Sequence, residues 1–93
     1  MGKLVRDRIP ELFGGQTHLL TEGEYRAALR AKLKEEVAEY LDSGDPEELA
    51  DVLEVLRALA ALHGLTPEDL EVLRRAKADA RGGLAGRIWW TPA

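Results

Sequence analysis

With 93 residues, 45% hydrophobic and 32% charged, the chain has room for one small helix-rich globular domain, residues 1–93, and not the composition of a disordered segment. Its net charge of -4 excludes the basic excess of a protein that grips a nucleic-acid polymer, and the absence of cysteine excludes disulfides and thiolate metal sites. No apolar run reaches the roughly 20 residues needed to span a bilayer. The opening Lys3-Leu4-Val5-Arg6-Asp7-Arg8 also lacks the apolar stretch of a signal peptide, so no membrane partner and a cytoplasmic location are expected.

Residues 1–20 are the least regular part. Leu4, Val5, Ile9, Leu12 and Phe13 suit either a short helix or an extended segment broken by Pro10, closed by Gly14-Gly15 and followed by a loop through Leu20. A first long helix is predicted from Thr21, which caps it, to about Asp42. Glu24 completes a capping box and Gly44 supplies a left-handed stop. Its apolar stripe is Tyr25, Leu29, Leu33, Val37, Tyr40 and Leu41. Glu36 falls inside that stripe, Lys32 and Glu39 along its border, and Glu35 further round. After a five-residue turn, Asp45 as N-cap, Pro46 and Glu48 open a second helix that ends at Gly64. Leu49, Val52, Leu53, Val55, Leu56, Leu59, Ala60 and Leu62 make its apolar arc, with Glu48 inside and Asp51 on the edge. Thr66-Pro67-Glu68-Asp69 opens a third helix, with Leu70, Leu73 and Ala76 turned inward, that ends at Gly82-Gly83. Short connections make neighbours antiparallel, so the fold class is all-α, a compact helical bundle. Only Arg87 to Trp90 has any extended character. Carboxylates at core positions weaken an already small core, so association into a homodimer or homotetramer is expected to complete it.

The acids carry the chemistry. Glu36 and Glu39 stand three residues apart on one helix, as do Glu48 and Asp51 on the next, so each pair projects from one face. Taken singly, Glu48 suits a capping box and Glu35 a solvated surface. Together, Glu36, Glu39, Glu48 and Asp51 lie on or beside the buried faces of adjacent helices, where mutual repulsion calls for a cation. Hard oxygen ligands favour magnesium, with manganese as the alternative. On the third helix Arg74, Lys77 and Arg81 form one basic stripe. It is either a solvated face or, beside such a metal, a clamp for phosphate oxygens. Lys32 can pair with the acids or reach a phosphate.

Glu35-Glu36-Val37-Ala38-Glu39, preceded by Lys32-Leu33, together with Glu48-Leu49-Ala50-Asp51 resembles the paired acid motifs of the MazG-like all-α NTP pyrophosphohydrolase superfamily. Lys3-Leu4-Val5-Arg6-Asp7-Arg8-Ile9-Pro10 is similar to the opening of a compact subgroup, and Lys77 through Leu84 to its close. The phosphoribosyl-ATP pyrophosphohydrolases of histidine biosynthesis share the acid motifs, but their aromatic-histidine pair is replaced here by Glu54-Val55. The resemblance implies magnesium ligands at Glu36, Glu39, Glu48 and Asp51, with Glu35 orienting or deprotonating water. It implies cleavage of a nucleoside triphosphate between the α- and β-phosphates, to a monophosphate and pyrophosphate, with clearance of non-standard nucleotides as one role. Lys32, Lys77, Arg81 and Arg74, with Lys3 and Arg6 behind them, are the implied phosphate contacts. The alternatives are the histidine-pathway hydrolase and a non-catalytic metal- or nucleotide-binding oligomerisation module. Trp89 and Trp90 suit either a stacked base or a subunit interface.

Overall fold

A computed structural model describes residues 2–93; Met1, the first residue of the domain read from the sequence, lies outside it. The order is α1 (Ile9–Phe13), α2 (Glu22–Ser43), α3 (Pro46–Leu62) and α4 (Pro67–Arg81), with no strand among the described residues. No helix among them is long and apolar enough to cross a membrane.

The helix boundaries follow from local chemistry. Thr21 Oγ1 accepts from the Glu24 amide at 3.2 Å while Glu24 Oε1 accepts from the Thr21 amide at 2.9 Å, a complete capping box at the head of α2. Thr66 and Asp69 repeat it at the head of α4, at 3.1 and 3.0 Å. Gly44, at φ 67° and ψ 11°, stops α2 in the left-handed region, where a side chain is disfavoured. At the end of α3 the Leu65 amide reaches the Ala60 carbonyl and the Gly64 amide that of Ala61, the paired bonds of a Schellman ending. Pro10 does not break the first segment. It sits at the second position of α1, where no intrahelical N–H bond is required of it.

The turn between α2 and α3 is tighter than the sequence reading, only Gly44 and Asp45. It folds the two helices back on each other as an antiparallel pair that supplies the main packing, while α4 touches α3 alone. Leu29, Val55 and Ala60 are the buried apolar residues. Tyr25, Leu33 and Tyr40 on α2 and Val52, Leu59 and Leu62 on α3 are half-buried around them.

Several residues read as inward lie outside. Val37 and Leu41 of α2, and Leu49, Leu53 and Leu56 of α3, are exposed, because a single partner helix covers only part of each apolar arc. On α4, Leu73 and Ala76 are exposed and only Leu70 and Ala78 are half-buried. Arg87 to Trp90 forms no strand, and Trp89 and Trp90 are exposed. The bundle is therefore open rather than compact. Its Cα radius of gyration is 16.7 Å, against about 12 Å for a compact chain of this length.

Candidate metal centre

The α2/α3 hairpin brings the two acid motifs together. Oxygens of Glu36, Glu48 and Asp51 lie within 4.8 Å of one another, and so do oxygens of Glu35, Glu36 and Glu39. Glu36 belongs to both groups. Its phase within the α2 apolar stripe drives it against α3, where the residue keeps only 6% of its exposure. Oε1 takes the Lys32 ammonium at 3.1 Å, one helical turn back. Oε2 is buried with no hydrogen-bond partner among the described residues. A buried carboxylate oxygen left without a donor is costly, and native structures rarely keep one without a ligand or solvent partner.

Glu48 is freed for the cluster. The sequence reading gave it a capping-box role, but Asp45 Oδ1 accepts instead from the Glu47 amide at 3.0 Å, and the Asp45 amide donates to Ser43 Oγ. The cap closes through neighbouring groups, and the Glu48 side chain turns toward Asp51. Desolvation first, then its hydrogen bond and repulsion with Asp51 and the charge of Glu36, push the Glu48 carboxyl above its ordinary range. The Glu39 carboxyl is also raised, chiefly by the hydrogen bond it shares with Glu36. Both shifts have the sign expected of acids crowded together without enough positive charge.

Cations border the acids on two sides. Lys32 is largely buried, and its Nζ also reaches Glu35 Oε2 at 3.3 Å. Desolvation lowers the Lys32 pKa, but the hydrogen bonds and charges of Glu36 and Glu35 outweigh it and the net shift is upward. From the N-terminal segment, Lys3 Nζ lies 3.6 Å from Glu35 Oε1, and Arg6 Nη2 lies 2.6 Å from Asp51 Oδ1. The bond to Asp51 raises the Arg6 pKa. Between these groups is a cleft of about 330 Å³ lined by Lys3, Arg6, Lys32, Glu35, Glu36, Glu39, Asp51 and Glu54, with Val5, Ile9, Phe13 and Val55 as apolar wall.

The basic stripe of α4 stands elsewhere. Arg74, Lys77 and Arg81 do not line the cleft. Arg74 closes on Glu71 of its own helix, with nitrogen–oxygen distances of 2.6 to 3.0 Å. The reason is topological: α4 follows the far end of α3, a helix length away from the acids at its start. Besides Lys32, the basic residues that reach the cleft are Lys3 and Arg6, which the sequence reading ranked below the stripe. Glu54 entered the sequence reading only as a departure from the aromatic-histidine pair, and Val5, Ile9 and Phe13 only as apolar residues of the irregular opening segment; none was assigned to the site. Glu54 did carry a signal, since it stands three residues after Asp51, the same spacing that links Glu48 to Asp51.

The donor set suits a hard divalent cation. Every donor is a carboxylate oxygen, two helices contribute, and Glu36, the residue common to both groups, has one oxygen buried and unpartnered.

No family model matches the chain, and no solved structure matches it. Over 44 residues it is 59% identical to an uncharacterized protein of Mycolicibacterium smegmatis, the match covering 42% of this chain and 45% of that protein. The chain thus spans less than half the length of the relative it matches.

Proposed function

We propose that the protein is a magnesium-dependent nucleoside triphosphate pyrophosphohydrolase that adds water across the bond between the α- and β-phosphates, releasing a nucleoside monophosphate and pyrophosphate. The observation that carries this reading is that two acid groups, Glu35, Glu36 and Glu39 of α2 and Glu36 with Glu48 and Asp51 of α3, share Glu36, one oxygen of which is buried and unpartnered. Glu36, Glu39, Glu48 and Asp51 are the residues that would hold magnesium, or manganese in its place. Bound there, the ion would supply charge neutralisation for the triphosphate and a more acidic water.

The chain's own groups do the rest. Lys32, pinned between Glu35 and Glu36, pairs with both carboxylates and restrains their side chains. Glu35, part-exposed at the cleft edge, accepts the proton of the attacking water. Lys3, Arg6 and Lys32 line the same cleft and present positive charge to phosphate oxygens. Arg74, Lys77 and Arg81 contribute only if a second copy brings its α4 to the cleft. The exposed stripe of Val37, Leu41, Leu49, Leu53 and Leu56 is the surface on which a homodimer or homotetramer would form.

The test is pyrophosphate release from a panel of standard and non-standard nucleoside triphosphates with Mg2+, with EDTA, and with Glu36→Gln and Glu35→Gln. Release that needs Mg2+ and falls at least a hundredfold in Glu36→Gln supports the hydrolase. A folded, metal-binding protein that turns over nothing on the panel overturns it. One observation favours a second reading. Glu35 is already engaged by Lys32 and Lys3, which suits a non-catalytic module that binds a metal–nucleotide complex; binding unaltered by Glu35→Gln, without turnover, is its signature.

A further inference from the structure

The Arg6–Asp51 contact ties the chain's N-terminal segment to a carboxylate of the candidate metal centre, 45 positions away in sequence. Asp51 shares its oxygen cluster with Glu36 and Glu48. The three acids therefore have Lys32 on Glu36 at one end and Arg6 on Asp51 at the other, while the second oxygen of Glu36 is buried without a partner. A divalent cation held across these acids draws on Asp51 and sets a like charge a few ångströms from the guanidinium. Lys32 cannot yield easily, because two carboxylates hold it and its side chain is only 17% exposed. Arg6 can: its side chain is 54% exposed and that of Asp51 37%, so water competes for the pair and its rupture is inexpensive. Residues 2–8 lie outside the helices, and the Arg6 backbone is tied to the head of α1 through its carbonyl, which accepts from the Ile9 amide at 3.0 Å, so a change of partner falls to the side chain.

We propose that Arg6 is a cation-gated phosphate ligand: it closes on Asp51 when no divalent cation is bound, and it is released toward a substrate phosphate when one binds. This rests on the reading of the acid cluster as a metal centre and adds to it a residue that changes partner between the two states. The chemistry suits arginine, whose planar fork pairs with either a carboxylate or two phosphate oxygens. Arg6 lines the same cleft as the acids, so the new partner lies within its existing reach. One consequence is ordering: the cleft becomes most receptive to phosphate only after the cation has arrived, which disfavours capture of metal-free nucleotide.

The full chain, as wild type, Arg6→Gln and Arg8→Gln, is titrated with Mg2+ alone by calorimetry and then, at saturating Mg2+, with pyrophosphate. In parallel the arginine Nε–Hε resonances are followed, Arg6 being assigned by its loss in Arg6→Gln. Arg6→Gln is expected to bind Mg2+ about three- to tenfold more tightly and Mg-pyrophosphate about tenfold more weakly. Arg8→Gln, whose side chain pairs with Glu11 away from the cleft, stays within about twofold of wild type on both counts, which separates loss of one specific contact from loss of one charge. The Arg6 resonance shifts on adding Mg2+ and again on adding pyrophosphate. Equal or weaker Mg2+ binding in Arg6→Gln, or an Arg6 resonance that Mg2+ leaves in place, overturns the gating while the metal centre stands. Absence of Mg2+ binding in wild type overturns both.

Discussion

Replacing Glu36 by methionine removes the one buried carboxylate among the described residues while keeping nearly the same volume, and the structure sets what should follow. The wild-type side chain leaves Oε2 buried and unpartnered, which costs about 1–3 kcal/mol. The substitution forfeits the Lys32 contact at 3.1 Å, but Lys32 retains Glu35 at 3.3 Å, so the loss on that side is about 1 kcal/mol. Metal-free Glu36→Met is therefore expected to be at least as stable as wild type, by about 0–2 kcal/mol. That raises Tm by up to roughly 15 °C for a domain of this size. Saturating Mg2+ should reverse the order. Wild type gains about 2.7 kcal/mol at a hundred times Kd, whereas the variant, stripped of the carboxylate that belongs to both acid groups, gains little. The assay is thermal unfolding by circular dichroism at one protein concentration, in EDTA and in Mg2+. A metal-free Glu36→Met that melts below wild type refutes the argument, because the orphaned oxygen would then not be the liability its surroundings imply.

A pH series separates Glu48 from the other acids. A carboxyl whose pKa is higher folded than unfolded stabilises most below its unfolded value, and that contribution is lost as pH rises through the raised value. The Tm advantage of Glu48→Gln over wild type, both in EDTA, should therefore widen between about pH 4 and pH 7; a gap that narrows contradicts the crowding of Glu48 against Asp51. On the exposed apolar stripe, Leu53→Glu should shift the mass seen by light scattering toward the 10.3 kDa single chain without changing helix content. An unchanged mass would place the contact between copies elsewhere.

Much of the local structure was legible in the residues alone, because helix ends depend on groups within a few positions of one another. Thr21 with Glu24, Thr66 with Asp69, and the glycines at 44, 64 and 82 sit where capping chemistry predicts. The phase of Glu36 within an otherwise apolar stripe was likewise readable, and it is the buried acid. Glu48 shows where local reading fails. Spacing alone allows it to cap α3 or to join the cluster, and the Glu47 amide, by taking Asp45, decides for the cluster.

What the sequence by itself determined is the all-helical order, the helix limits and the two acid motifs, since each follows from periodicity or from contacts within about four residues. What only the tertiary structure decided is which cations face those acids. Arg74, Lys77 and Arg81 make a more regular pattern than Lys3 and Arg6, yet a two-residue turn after α2 and the run of α3 carry α4 away from the site. The irregular N-terminal segment lies across the site instead, because Val5 and Ile9 find an apolar wall there beside Val55 while Lys3 and Arg6 meet carboxylates. Charge attracts at any sequence separation, so its partners are set by the fold and not by spacing along the chain.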